Sequence, residues 1–226
     1  MKRNLSAVFI LIAITFFSCN GQKPAAFLPN PDFTVYDDEK SITIEIGDII
    51  ETRNGTATRG LPDWLFSYID GGAKAIEALD SYSDKYVFIG NNEGLNFTAL
   101  SKWAENFATV QDFPILAAAR IERRMIASAS LYPDDEYGIF FETLIYNAYN
   151  GEYPGAVKEE IYWVRIRDDE SPSSGKYVFF IMISINKMTM QTSISNMMAS
   201  TIAAVTLSRT QASAVNRLRQ NFFEGF

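Results

Sequence analysis

Ile161-Tyr-Trp-Val-Arg-Ile166 and Tyr177-Val-Phe-Phe-Ile-Met-Ile-Ser-Ile185 decide how this chain folds. Both runs are built from β-branched and aromatic residues, the side chains that suit a pleated surface, and both are strand-length. Between them Arg167-Asp-Asp-Glu-Ser-Pro-Ser-Ser-Gly175 is polar and rich in turn formers, so the two runs pair as an antiparallel hairpin. The second run has almost no polar member. A strand of that kind needs apolar cover on both faces, and the rest of the chain must supply it.

Upstream, Tyr86-Val-Phe-Ile-Gly90 reads as a third buried strand, stopped by Asn91-Asn-Glu-Gly94. Before it, Pro62 and Asp63 suit the first turn of a helix. Trp64, Leu65, Tyr68, Ile69, Ala75, Ile76 and Leu79 then recur at helical steps. Gly71-Gly72 interrupts that face, so the helix bends or another element packs closely there. A second helix is capped by Asn96 or Thr98 and carries Leu100, Trp103, Ala104 and Phe107; Pro114 must break or kink it. Residues 115–130 make a further helix with a basic flank of Arg120, Arg123 and Arg124. Within 131–155, Ile139, Phe140, Thr143, Leu144, Asn147 and Ala148 fit a helix better than a strand, and 189–226 is again helical.

Near the start, Phe33-Thr-Val-Tyr36 and Ser41-Ile-Thr-Ile-Glu-Ile46 flank Asp37-Asp-Glu-Lys40 and read as a β-hairpin, followed by a polar break at 52–60. The fold class is therefore α/β in the α+β sense: a small, mostly antiparallel sheet packed against several helices. A single domain spans 33–226 and ends in a helical segment.

The first nineteen residues are an address. Lys2 and Arg3 precede an apolar run, 5–17, that is shorter than the roughly 20 residues of a membrane span. Ser18 and Cys19 follow it. The stretch resembles a bacterial lipoprotein signal in which Cys19 is acylated, although Phe16 and Phe17 stand where Leu and a small residue are commoner. Residues 20–32, with three prolines, read as a tether. These features imply a lipid-anchored protein of the bacterial cell envelope, facing the periplasm or the surface.

Without Lys2 and Arg3 the chain keeps 18 basic against 27 acidic residues, a formal charge of −9, which disfavours a nucleic-acid partner. There is no histidine, and the one cysteine is taken by the anchor. That removes Ser-His-Asp and Cys-His catalysis, zinc sites and disulfides; no cofactor or metal is expected.

The order of features resembles the Lpp-twenty group of envelope lipoproteins over 61–187. It comprises a Trp segment after a proline, a strand ending in Gly90, an alanine-bearing helix, and a Tyr-Trp-Val strand paired with a Tyr-Val-Phe-Phe-Ile strand running into Asn186-Lys187. Pro114 and the long 131–160 stretch depart from it. The resemblance implies an α/β domain on a membrane-associated lipoprotein and brings no catalytic residue.

Three Asp-Asp-Glu triplets, at 37–39, 134–136 and 168–170, offer oxygen ligands without the spacing of a calcium loop, and read as solvated turns. Gly90-Asn-Asn-Glu-Gly94 lacks a phosphate-loop pattern and reads as a tight connection. Glu122 among Arg120, Arg123 and Arg124 could meet an acidic partner, but such a run on a helix reads first as a solvent-facing charge run. Five methionines, Met182, Met188, Met190, Met197 and Met198, fall close together and suit either core packing or an adaptable surface. With Trp64, Trp163 and Phe179 they are the candidate apolar binding surface. The leading function is a non-catalytic binding or assembly module whose partner is an envelope protein. The alternative is a carrier holding a lipid or other apolar molecule in a Met- and aromatic-lined cavity, and a carboxylate-based enzyme ranks third.

Overall fold

The computed structural model describes residues 44–56, 59–132, 135–168 and 175–226. The early hairpin falls largely outside them. At its described end, Ile46–Asp48 is a 3-10 turn and not the end of a strand. The first strand, β1, is Ile49–Thr52, and it turns at Arg53-Asn54 into the two-residue β2, Gly55–Thr56. The polar break expected from 52 onward therefore contains a miniature hairpin. It is too short to show a periodicity.

The remaining elements are α1 (Asp63–Glu77), β3 (Lys85–Gly94), α2 (Phe97–Asn106), α3 (Phe113–Ala129), α4 (Gly138–Tyr149), β4 (Val157–Ile166), β5 (Lys176–Asn186), α5 (Lys187–Ala204) and α6 (Arg209–Phe222). The sheet is antiparallel throughout, in the order β2-β1-β4-β5-β3. β4 and β5 form the expected hairpin, with Trp163 opposite Phe179 and Val164 opposite Val178. β3 runs four residues past Gly90: Asn91 to Gly94 pair with Phe180 to Tyr177. The polar composition of that stretch misreads as a loop, because ladder hydrogen bonds to β5 outweigh its low strand propensity.

Side-chain alternation divides the core into two layers. Val178, Phe180 and Met182 of β5, Val87 and Ile89 of β3, and Tyr162, Val164 and Ile166 of β4 pack beneath α1. Phe179, Ile181, Ile183 and Ile185, with Tyr86 and Phe88, pack beneath α2 to α6. All of β5 from Val178 to Ile185 is buried.

Local chemistry sets the helix ends. Asn96 accepts from the Ala99 amide at 3.0 Å and caps α2. Pro114 does not kink a continuous helix: α2 ends at Asn106, and Pro114 sits in the first turn of α3, where its missing N–H costs nothing. Asn186 caps α5, and Ser208 with Gln211 forms a capping box that starts α6, dividing the C-terminal helical segment in two. In α1 the expected bend is present, with Gly72 at φ 71° and ψ −165°, a conformation open to glycine and strained for other residues.

One ion pair ties the two helical layers together. Arg120 of α3 and Glu77 at the end of α1 meet at 2.8 Å, their side chains only 4% and 9% exposed. They meet around the edge strand. Glu77 accepts from the Val87 amide at 2.9 Å, and Arg120 donates to the Val87 carbonyl at 3.2 Å. The pair thus occupies hydrogen-bonding groups of β3 that another strand would use. The guanidinium also lies 4.9 Å, 5.1 Å and 4.8 Å from the rings of Tyr86, Phe88 and Phe226.

Arg120→Met should cost about 3–5 kcal/mol in denaturant unfolding, because it strands a buried carboxylate. A loss below the range of ordinary surface substitutions would show that the pair does not hold the layers. Gly72→Ala should cost about 1–3 kcal/mol by the same measurement, since its backbone conformation must be strained or abandoned.

Candidate functional site

The sheet separates the residues proposed from sequence as one apolar surface. Trp64 and Met182 belong to the α1 side. Phe179, Met190 and Met198 are buried on the other, with Trp163 and Met197 partly buried against them. Met188 stands alone, 77% exposed at the start of α5. A single surface built from all eight is therefore corrected to two core layers and one isolated side chain. The strand period of two sends Trp163 and Met182 to opposite faces, whatever their closeness in sequence. On its own side Trp163 stacks on Phe179 at 6.4 Å and meets Phe97 edge-on at 5.2 Å.

The arginine run also reads differently in three dimensions. Arg120 is the buried edge clamp. Arg124 donates to the carbonyls of Phe222 at 2.6 Å, of Asn221 at 2.7 Å, and of Glu224, closing the C-terminal end of α6. A solvent-facing run is the wrong description of both. Of the acidic triplets, 37–39 lies outside the described residues and the others are described in part; Asp135 pairs with Arg217. Among the described residues no group of three or more potential ligands is placed to hold a metal ion. Cys19 and the tether lie outside the described residues.

The polar site is elsewhere, at an irregularity in β4. The ladder to β5 slips between Lys158 and Glu160, leaving Glu159 as the extra residue of a β-bulge. A bulge re-aims side chains, and here both carboxylates serve the α1 side of the sheet. Glu159 accepts from the buried Ser184 hydroxyl and, at 2.9 Å, from Lys85 of β3. Glu160 accepts from the Trp64 indole N–H at 2.7 Å and lies 3.8 Å from Arg53. Lys85 sits 5.4 Å from the Tyr82 ring centroid. Trp64 and Tyr82 in turn wall a cleft of about 430 Å³ whose other lining residues are Asp63, Leu79, Asp80 and Ser81.

The ionisation of this cluster is set by its hydrogen bonds. The Ser184 hydroxyl, and behind it Lys85, hold the Glu159 carboxyl below its ordinary range, against a desolvation that works the other way. The hydrogen bond to Glu159 raises Lys85 above the usual lysine value. Burial, and then the Glu159 charge, raise the Tyr82 phenol. Glu159 and Lys85 are driven toward their charged forms, while Tyr82 is held as the neutral phenol. A general base or an amine nucleophile needs shifts opposite to those of Glu159 and Lys85.

Sequence reasoning passed over this site because its members come from five separated segments, at 53, 63–64, 79–85, 159–160 and 184. The available signal was Val157-Lys-Glu-Glu160, where two adjacent carboxylates interrupt the alternation leading into β4. No protein-family model, no curated protein and no solved structure matches the chain.

Because the folded pKa of Glu159 lies below its ordinary value, its stabilising charge is fully present above the ordinary carboxylate range and is lost as pH falls through the depressed value. Ser184→Ala should therefore destabilise the protein by about 1–2 kcal/mol at neutral pH. Urea unfolding across the acid range should show that deficit shrinking as wild-type Glu159 protonates. A deficit independent of pH would mean the serine acts through packing alone.

Proposed function

We propose that this chain is a lipid-anchored bacterial envelope lipoprotein whose domain binds an envelope protein without catalysing a reaction, at the α1 side of the sheet. The anchoring half rests on the sequence of 1–32. The binding half rests chiefly on one observation, the bulge at Glu159. It sets the carboxyl groups of Glu159 and Glu160, fixed by Ser184, Lys85 and Trp64, beside a cleft walled by Trp64 and Tyr82. Carboxylates next to π faces suit a cationic side chain of a partner. Asp63 and Asp80 at the same cleft have no side-chain partner among the described residues and add to the negative field. The carrier reading needs Trp64, Met182, Phe179 and the α5 methionines around one cavity, whereas they lie on both sides of the sheet.

Two measurements test the reading. Cys19→Ser should move the protein from the detergent phase to the aqueous phase and remove an acyl mass from its N-terminus; an unchanged partition defeats the anchor. A photo-crosslinking residue at Ser81, introduced in the native host, should trap one envelope protein. The crosslink should weaken when Glu159 and Glu160 are both changed to Gln. Trapping that is absent, or indifferent to those charges, counts against the cleft.

A further inference from the structure

Trp64 and Tyr82 wall one cleft, with Leu79, Asp80 and Ser81, although α1 lies between Trp64 and Leu79. An unbroken helix, at a rise of about 1.5 Å per residue, would carry Leu79 about 22 Å from Trp64. The sheet beneath sets a shorter spacing. Trp64 is fixed to Glu160 through its indole N–H, and Glu77, at the other end of α1, accepts from the Val87 amide. Glu160 stands opposite Met182, and Met182 opposite Ile89. Val87 is therefore two strands across and two residues along from Glu160, about 12 Å away at ordinary strand spacings, whereas Trp64 and Glu77 would stand about 20 Å apart on a straight helix.

The difference is taken up at Gly71-Gly72. Gly71 has φ −138° and ψ 16°, Gly72 has φ 71° and ψ −165°, and neither pair of angles is helical. The turn between the two halves of α1 is tight. A Cβ on Gly71 would fall 2.9 Å from the Ala75 Cβ, whereas Cβ atoms four residues apart on a regular helix are about 5–6 Å apart. That is closer than two carbons pack, and Ala75 has no rotamer with which to yield. Any side chain at 71 must push the second half away, and that half leads directly into Leu79 to Tyr82. None of Gly71, Gly72 and Ala75 lines the cleft.

We infer that Gly71 and Gly72 are positioning residues of the cleft: their bend brings the Tyr82 wall toward the Trp64 wall, and the approach of Gly71 to Ala75 sets how wide the cleft stands. The inference rests on the reading of this cleft as the binding site. Each half of α1 is tied to a different part of the fold. The first half is held to the sheet by Trp64 on Glu160 and by the Tyr68 ring, 6.0 Å from that of Phe180. The second is held by Glu77 on Arg120, and by Lys74, which donates to the Gly225 carbonyl at 3.1 Å. With both halves held, the bend between them has one value, and the cleft is formed before a partner arrives. A preformed site spares the partner the cost of ordering it.

The test places nitroxide labels on either side of the cleft, at the exposed positions Phe66→Cys and Ser81→Cys, in the full-length chain carrying Cys19→Ser. Gly71→Ala should lengthen the label separation by several Å. Ala75→Gly added to it should return the separation to its starting value, although glycine inside a helix lowers stability. In the native host, the photo-crosslink from Ser81 should fall several-fold in Gly71→Ala and recover in the double variant. A separation that Gly71→Ala leaves unchanged, or that Ala75→Gly does not reverse, overturns the inference. So does a crosslink that follows the loss of stability in urea through both variants. Should Gly71→Ala fail to fold, the double variant decides, since it must fold and keep the original separation. If the separation lengthens and reverts as stated but Ser81 traps nothing in any variant, the binding reading falls and the role of the bend stands.

Discussion

Every layer of this molecule answers to β5, a strand buried on both faces from Val178 to Ile185. A strand with apolar side chains pointing both ways cannot lie at a surface. It needs a ladder partner on each edge, supplied by β3 and β4, and a helical layer on each face, supplied by α1 and by α2 to α6. The unequal cover, one helix against five, follows from the chain order. α1 precedes the central strands, and the later helices crowd onto the face that remains.

Two covers on opposite faces must also be kept in register with each other. The Glu77–Arg120 pair does this at the edge of the sheet, where side chains from both layers reach the same residue of β3. Burying two charges is costly in isolation. Here each charge satisfies the other and a backbone group of Val87 as well, and the Tyr86, Phe88 and Phe226 rings surround the guanidinium. The same contacts occupy an edge that would otherwise invite strand pairing. The opposite edge is a two-residue strand, which offers another chain little to pair with.

The polar chemistry and the apolar surface lie on different sides of this frame. The bulge in β4 aims Glu159 and Glu160 at the α1 side, where Ser184, Lys85 and Trp64 fix them beside an open cleft. On the far side α4 exposes Ile139 and Tyr146, with the exposed Glu142 between them in the helix.

The sequence by itself determined the β4–β5 hairpin, the helical stretches and the break at Gly71-Gly72. Those features arise from periodicity, turn chemistry and backbone stereochemistry, all local properties. Only the tertiary structure decided that Asn91 to Gly94 continue a strand, since a long-range ladder overrode their propensity. It alone turned Arg120 and Arg124 from surface charges into internal ties, and divided the methionines between two cores, because the direction of a side chain depends on the element and face it occupies. The Glu159 cluster likewise exists only after folding. Its members run from Arg53 to Ser184 along the chain, and an extra residue in β4 helps to bring them together.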